Sequence, residues 1–335
     1  MNTELRYPYQ YKKVIVFLAA MSILFGALTA LIGELAMPVA SAFIAGLLLF
    51  EKKKILSSVA CVAVVAFNFA VDLALGGKFT LVGIETAVVA ILIFFMFYKQ
   101  RSKAECVIAV TVVVSIFTFS GFLLEACYAT GQFNWDAITA YYGEFYDEIQ
   151  DLLIEQVNKA TSSLVSSGDN TTVLISESDI IMLLDSIVAI IPSLIVVAAF
   201  ALSGFAFKIF RAIIFKYSVD RLPILRWRFR ATNVIAYFYF VLLFLGLVAG
   251  GATDTVAIVI SNLYNIFLYV FAYIGTVYVF NIIANFRSRG LAIGIIAVAL
   301  VMLSTLAITI LSIFGAVLTI KENGLLNSKN DNSQL

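Results

Sequence analysis

The chain has 335 residues, 62% of them apolar and only 13% charged, with 22 basic against 21 acidic side chains. Soluble domains carry about a quarter charged residues, so this composition excludes a water-soluble fold and predicts an all-α, polytopic transmembrane helix bundle. Histidine is absent, which removes Ser-His nucleophile pairs, HExxH metal sites and imidazole relays together.

Nine apolar runs read as spans: Val14 to Gly33, Met37 to Phe50, Ile55 to Leu75, Leu81 to Tyr98, Cys106 to Tyr128, Ile187 to Phe207, Asn233 to Ala249, Ile258 to Phe280 and Leu291 to Ile320. The first reads as an uncleaved signal anchor. It sets Ala19, Ser22, Gly26, Ala30 and Gly33 within an arc of about 80°. Small residues at that spacing let helices approach closely, either for internal packing or for docking a partner subunit. The second run has 14 residues, about 21 Å of helix, and reads as a short span or a re-entrant segment.

Acidic side chains gather toward the expected outer ends of the spans: Glu34, Asp72, Glu85, Glu125 and Asp185, with Asn68 one helical turn from Asp72. Convergence of these groups would make an acidic vestibule favouring a cationic or amine-bearing ligand, or binding protons or metal cations; otherwise they sit at the interface and reach water. Cys61, Cys106 and Cys127 show neither zinc spacing nor a disulfide framework.

Between the fifth and sixth spans, the loop from Ala129 to Asp179 is too long for a simple connection. Within it Ile138, Tyr141, Tyr142, Phe145, Ile149, Leu152 and Leu153 recur at helical spacing opposite Glu144, Asp147, Glu148, Asp151 and Glu155. This predicts an outer amphipathic helix, serving as a lid over a site or as a solvated cap. Asn170 and Thr172 form a chance-frequency N-x-[ST] match.

The inner segment 208–230 holds seven basic residues against Asp220 alone, interleaved with Phe210, Phe215, Tyr217 and Trp227. Anionic lipid headgroups are its expected partners, with a cytoplasmic protein second and nucleic acid excluded by its closeness to the membrane. The eighth run carries Asn262, Asn265, Tyr269, Tyr273 and Thr276 on one face, as interhelical glue or cavity lining. The polar stretch 321–335 reads as a disordered tail after a single membrane-embedded domain, 1–320.

With nine spans and the N-terminus inside, 18 of the 22 basic residues fall on the inner side, leaving only Lys78, Lys159, Lys321 and Lys329 outside. Omitting the second span would worsen that split. Asn68, Asp72, Glu85, Glu125, Asn262 and Tyr269 are expected to line one outer cavity, because one shared wet space hides their polar groups from lipid. No CxxC, GxxxxGK[ST] or Rossmann glycine pattern occurs, so no metal, cofactor or nucleotide-hydrolysing module is expected. Nor is there a nucleophile-base pair that would make an enzyme.

The stretch IIPSLIVVAAFALSGFAFKIFRAIIFKY, followed by LPILRWRFRATNVIAYFYFVLLFLGL, resembles the YybS-like family of bacterial predicted membrane proteins, whose function is unknown. The likeness covers mainly Ile190 to Ile320: Pro192 in a span, the basic loop, Leu222-Pro223 with Trp227, and the ending FGAVLTIKENG. Where that family has a proline soon after the tryptophan, this chain has Arg230 and Ala231. The family in turn is similar to the substrate-binding (S) components of energy-coupling factor transporters, which usually have six spans and dock a coupling subunit through small-residue faces. The resemblance implies a small-molecule-binding subunit in the bacterial plasma membrane, energised by a coupling subunit and an ATPase. The alternative is a non-transport scaffold or regulator in envelope biogenesis.

Overall fold

The computed structural model describes residues 11–51, 53–74, 80–166, 176–217, 231–248, 255–283, 290, 294 and 304–331. Residues 218–230 of the basic loop and the Asn170–Thr172 match lie outside that set. Among the described residues there is no strand, and the helices are α1 (Tyr11–Ile32), α2 (Met37–Phe50), α3 (Ile55–Ala74), α4 (Val82–Tyr98), α5 (Lys103–Thr130), α6 (Trp135–Ser166), α7 (Glu177–Tyr217), α8 (Asn233–Val248), α9 (Thr255–Ile283) and α10 (Ser304–Asp331).

Among the described residues, five stretches are long and apolar enough to cross a membrane: Lys12–Leu35, Ile55–Ala74, Lys103–Thr130, Glu177–Tyr217 and Thr255–Phe280. Three further expected spans are shorter apolar helices, Met37–Phe50, Val82–Tyr98 and Asn233–Gly246. The last expected span is described only in part, and α10 continues as helix to Asp331, past the start of the expected polar tail. Once nucleated, each added helical residue gains a hydrogen bond, so polar composition alone does not end a helix.

The described residues form two compact units, one drawn from Gln10–Ile91 and Val113–Ile191, the other from Leu92–Val112 and Pro192–Leu335. In the first, α2 is the innermost helix. It buries Met37, Ala40, Ile44, Leu47 and Phe50, among others, around its whole circumference. A helix apolar on every side is stable only when surrounded. Phe43 is stacked on Phe25 at 5.7 Å and meets Phe17 edge-on at 6.2 Å. Ile44, Val64 and Ala90 close the junction of α2, α3 and α4.

The small-residue face of α1 is used inside this unit. Ser22 is fully buried and donates to Leu18 O at 2.7 Å, and a Cβ on Gly26 would lie 2.1 Å from Val64 Cγ2. Ala19, Ala30 and Gly33 are half-buried. Gly33 takes φ +59° as α1 ends and turns the chain toward α2.

Capping side chains fix where helices begin. Glu51 accepts from Leu56 N (2.7 Å), Ser57 N (2.8 Å) and Ser57 Oγ (2.7 Å), satisfying free amides of α3. Burial alone would raise the pKa of Glu51, but these hydrogen bonds outweigh it and hold the carboxyl below its ordinary value. Ser102 with Glu105, and Ser176 with Asp179, form reciprocal capping boxes at the starts of α5 and α7.

In the second unit α9 and α10 meet at Gly275 and Gly315, with backbones in contact. Beside them Tyr239 is fully buried, shares a 2.5 Å hydrogen bond with Ser312 and packs on Tyr264 and Phe271. Pro192 lies inside α7, where it removes an amide and obstructs the preceding turn. At the next residue, Ser193 N donates to Asn262 Oδ1 at 2.9 Å. Neighbouring helices commonly re-satisfy proline-disturbed backbone in this way. Lys103 lies within electrostatic reach of Arg211 and Lys208, so basic residues from two segments expected on the inner side converge.

Candidate functional site

The first unit contains a cavity of about 450 Å³ lined by Glu34, Glu85, Glu125, Thr80, Thr118, Phe117, Phe122, Tyr128 and Tyr141, with smaller residues between them. Its walls come from four places in the chain. Glu34 stands on the 3-10 turn after α1, Thr80 and Glu85 at the start of α4, Thr118 to Glu125 on the last turns of α5, and Tyr141 on α6.

Glu85 sits in the first turn of α4 and is only 1% exposed. Its Oε1 has no hydrogen-bond partner. A buried acceptor left unpaired forfeits the bonds that water would have given it, so this atom marks a place for a donor. Glu34 acts on Glu85 as a neighbouring like charge and itself accepts from Thr118 Oγ1 at 3.0 Å. Glu125 is exposed and stands where the cavity meets solvent. No lysine or arginine is among the described lining residues.

The remaining expected site residues have other partners. Asn68 is 1% exposed and ties α3 to α1, donating to Thr29 Oγ1 (2.9 Å), Gly26 O (3.3 Å) and Val64 O (2.9 Å). Gly83 lets α4 close on it, since a Cβ there would lie 2.8 Å from Asn68 Cβ. Asn68 lines an apolar recess of about 440 Å³ between α3 and α4, not the acidic cavity. Asp72 accepts from Thr80 N (2.7 Å) and Thr80 Oγ1 (2.9 Å), holding at the rim a residue that does line that cavity. Asn262 and Tyr269 belong to the second unit, where Asn262 braces Ser193 and Tyr269 is half-buried on α9.

Glu85 and Glu125 are therefore the two expected residues that share this cavity. Glu34, noted in the sequence as an outer-end carboxylate, is the third acid. Tyr141 and Thr118 carried no signal as cavity residues, because one was one of many aromatics on the amphipathic helix and the other an ordinary hydroxyl in an apolar run.

Helix α6 forms one wall. Asn134 caps its start by accepting from Ala137 N at 2.7 Å. Tyr142 donates to Phe122 O at 2.8 Å and meets the Phe122 ring edge-on at 6.4 Å. Tyr146 donates to Asp185 Oδ1 at 2.6 Å. Burial first, and the Glu125 carboxylate second, push the Tyr142 phenol up to about 12, and the bond to Asp185 raises that of Tyr146. Both remain neutral donors under ordinary conditions. Phe145, Leu152 and Leu153 of the expected apolar face are exposed, as are Phe133 and Trp135 just before and at the helix start. Aromatic and apolar side chains so placed suit the boundary between lipid and water.

Among the described residues no three Cys, Asp or Glu side chains come close enough to hold a metal ion. The arrangement suits a small molecule with hydrogen-bond donors and an apolar body. No family model, curated protein or solved structure matches the chain, so the functional reading rests on the chemistry of this cavity.

Proposed function

We propose that the chain is a multi-pass subunit of the bacterial cell membrane that captures a small molecule from the outer side and depends on partner subunits for energy. In this reading it has nine spans, a cytoplasmic N-terminus and α6 on the outer surface. The observation that carries the proposal is the acid-lined cavity of about 450 Å³, open on one side, with the buried Glu85, whose Oε1 has no hydrogen-bond partner. That volume lies within the range of small-molecule sites, roughly 300–1,000 Å³. The sequence lacks an ATP-binding motif of its own, and its likeness to S components agrees with energy supplied by a coupling subunit and an ATPase. The basic residues around Lys103 and Arg211 suit anionic headgroups on the inner side.

Native mass spectrometry of the full chain in gentle detergent tests the reading. A retained small molecule is expected, and it should vanish in a Gly121→Leu variant. Gly121 lines the cavity and has open space where a side chain would project. A folded wild-type chain carrying no small molecule and binding none from a metabolite mixture would count against capture. Cysteine labelling should reach position 53 only from the cytoplasm and position 170 only from outside; labelling of both from one side would end the topology.

A further inference from the structure

We infer that the ligand of this cavity is a small organic cation with a primary or secondary ammonium group, anchored by Glu85. The inference rests on the capture function proposed above and adds the chemical class of what is captured.

Four observations converge on it. The first is the sign of the site: Glu34, Glu85 and Glu125 line one cavity with no lysine or arginine among the described lining residues. Neighbouring carboxylates in a partly dry space repel more strongly than in bulk solvent, and an ammonium group bound among them relieves that repulsion. The second is Glu85 itself, 99% buried with Oε1 unpaired. That atom calls for an N–H or O–H donor, and a charged N–H donor satisfies the hydrogen bond and the charge together. A quaternary ammonium satisfies only the charge.

The third observation separates an organic cation from a metal ion. Among the described residues no three acidic or thiol groups are close enough to coordinate one ion, and the volume far exceeds that of a bare cation. The fourth is the remaining wall, where Phe117, Phe122 and Tyr141 offer ring surface. Aromatic faces attract ammonium groups and pack against an apolar body. Thr118 donates to Glu34 Oε1 and Glu125 is exposed, whereas Glu85 Oε1 is buried with no donor, which makes Glu85 the anchor.

The test uses the full chain in gentle detergent with defined probes: 2-phenylethylamine, its N,N,N-trimethyl analogue, 1,5-diaminopentane, 2-phenylethanol and phenylacetate, titrated calorimetrically at neutral pH. At least one primary amine is expected to bind. The trimethyl analogue should bind at least tenfold more weakly than 2-phenylethylamine, and the neutral and anionic probes not at all. Glu85→Gln should weaken amine binding at least tenfold, Glu125→Gln by less, and Gly121→Leu, which narrows the cavity with an added side chain while keeping all three carboxylates, should block it.

Equal binding of 2-phenylethanol or phenylacetate would overturn the ammonium assignment. So would unchanged amine affinity in a folded Glu85→Gln variant while Gly121→Leu blocks binding; in both cases the cavity would stand as a capture site for another class. Failure of both primary amines to bind also overturns the assignment. Native mass spectrometry then decides whether capture itself survives, since a retained neutral or anionic molecule displaced by Gly121→Leu keeps it and an empty wild-type chain does not.

Discussion

Gly275 of α9 and Gly315 of α10 lie against each other's helix at backbone distance. A Cβ added to Gly275 would stand 2.1 Å from Leu311 O, and one added to Gly315 would stand 2.1 Å from Phe271 O. The obstacle on each side is main chain, which cannot rotate away as a side chain would. Membrane helices gain little from hydrophobic exclusion and rely on such close contact.

Gly315→Ala is therefore expected to destabilise the fold by about 1–3 kcal/mol, the usual cost of overpacking, and Gly275→Ala by a similar amount. Gly204→Ala is the control, because nothing lies within 4 Å of a Cβ there and alanine favours helix by up to about 1 kcal/mol. Thermal unfolding of the three variants in the same detergent checks the ordering. Equal stability of Gly315→Ala and Gly204→Ala would show that the two backbones are not in contact.

Asn68 provides a second test, because its partners are all within the chain. Replacing it with alanine removes the bonds to Thr29, Gly26 and Val64. Interhelical hydrogen bonds in membranes are individually modest, so a loss of about 1 kcal/mol is expected. A Thr29→Val, Asn68→Ala double-mutant cycle should show coupling of similar size, on the order of 1 kcal/mol, with amine binding unchanged. Lost binding at undiminished stability would return Asn68 to the ligand site.

These two cases show what the sequence made legible. Helical class and apolar character follow from composition, and the amphipathic α6 follows from its spacing, because periodicity reports directly on which face is apolar. The same periodicity does not report on partners. The small-residue arc of α1 was visible, yet Gly275 and Gly315 are 40 positions apart, and only the tertiary crossing shows that each needs the other. Likewise Asn68 and Glu85 look alike in sequence as polar groups in apolar runs. What separates them is supply: Thr29 and two carbonyls meet the Asn68 amide, while Glu85 Oε1 is met by nothing. The short second run was ambiguous for the same reason, since surrounding helices rather than its own length make α2 a core element.

Glu51 links acidity to helix start. Burial opposes its charge, but the Leu56 and Ser57 donors more than offset this and hold its pKa below the ordinary carboxylate value. A depressed folded-state pKa gives stability that is present above the unfolded value, 4.5, and is lost as pH falls through the folded value. Glu51→Gln is expected to cost about 1–2 kcal/mol at neutral pH, in the range of a lost helix cap. It should also flatten the acid limb of the stability profile. A wild-type profile identical in shape to that of the variant would remove the carboxylate from α3's cap.

Tyr142 bears on whether α6 is a lid. Its phenol donates to the main chain of Phe122, a residue of the cavity wall, and its pKa is pushed up from 10.0 to about 12 by burial and by Glu125. The folded-state pKa is raised, so the contact contributes fully below about 10 and is lost as pH climbs toward 12. Ionisation would turn the donor into an anion facing a carbonyl oxygen and a nearby carboxylate, both of which repel it. Over that window the wild-type chain should become more susceptible to proteolysis within α6, in step with tyrosinate absorbance. Tyr142→Phe keeps the edge-on ring contact but not the hydrogen bond. It should loosen α6 by about 1 kcal/mol at neutral pH, remove this alkaline step, and speed release of a bound amine if α6 covers the cavity. A variant that loosens α6 yet leaves the release rate unchanged would make the helix a fixed cap, with the ligand leaving by another route.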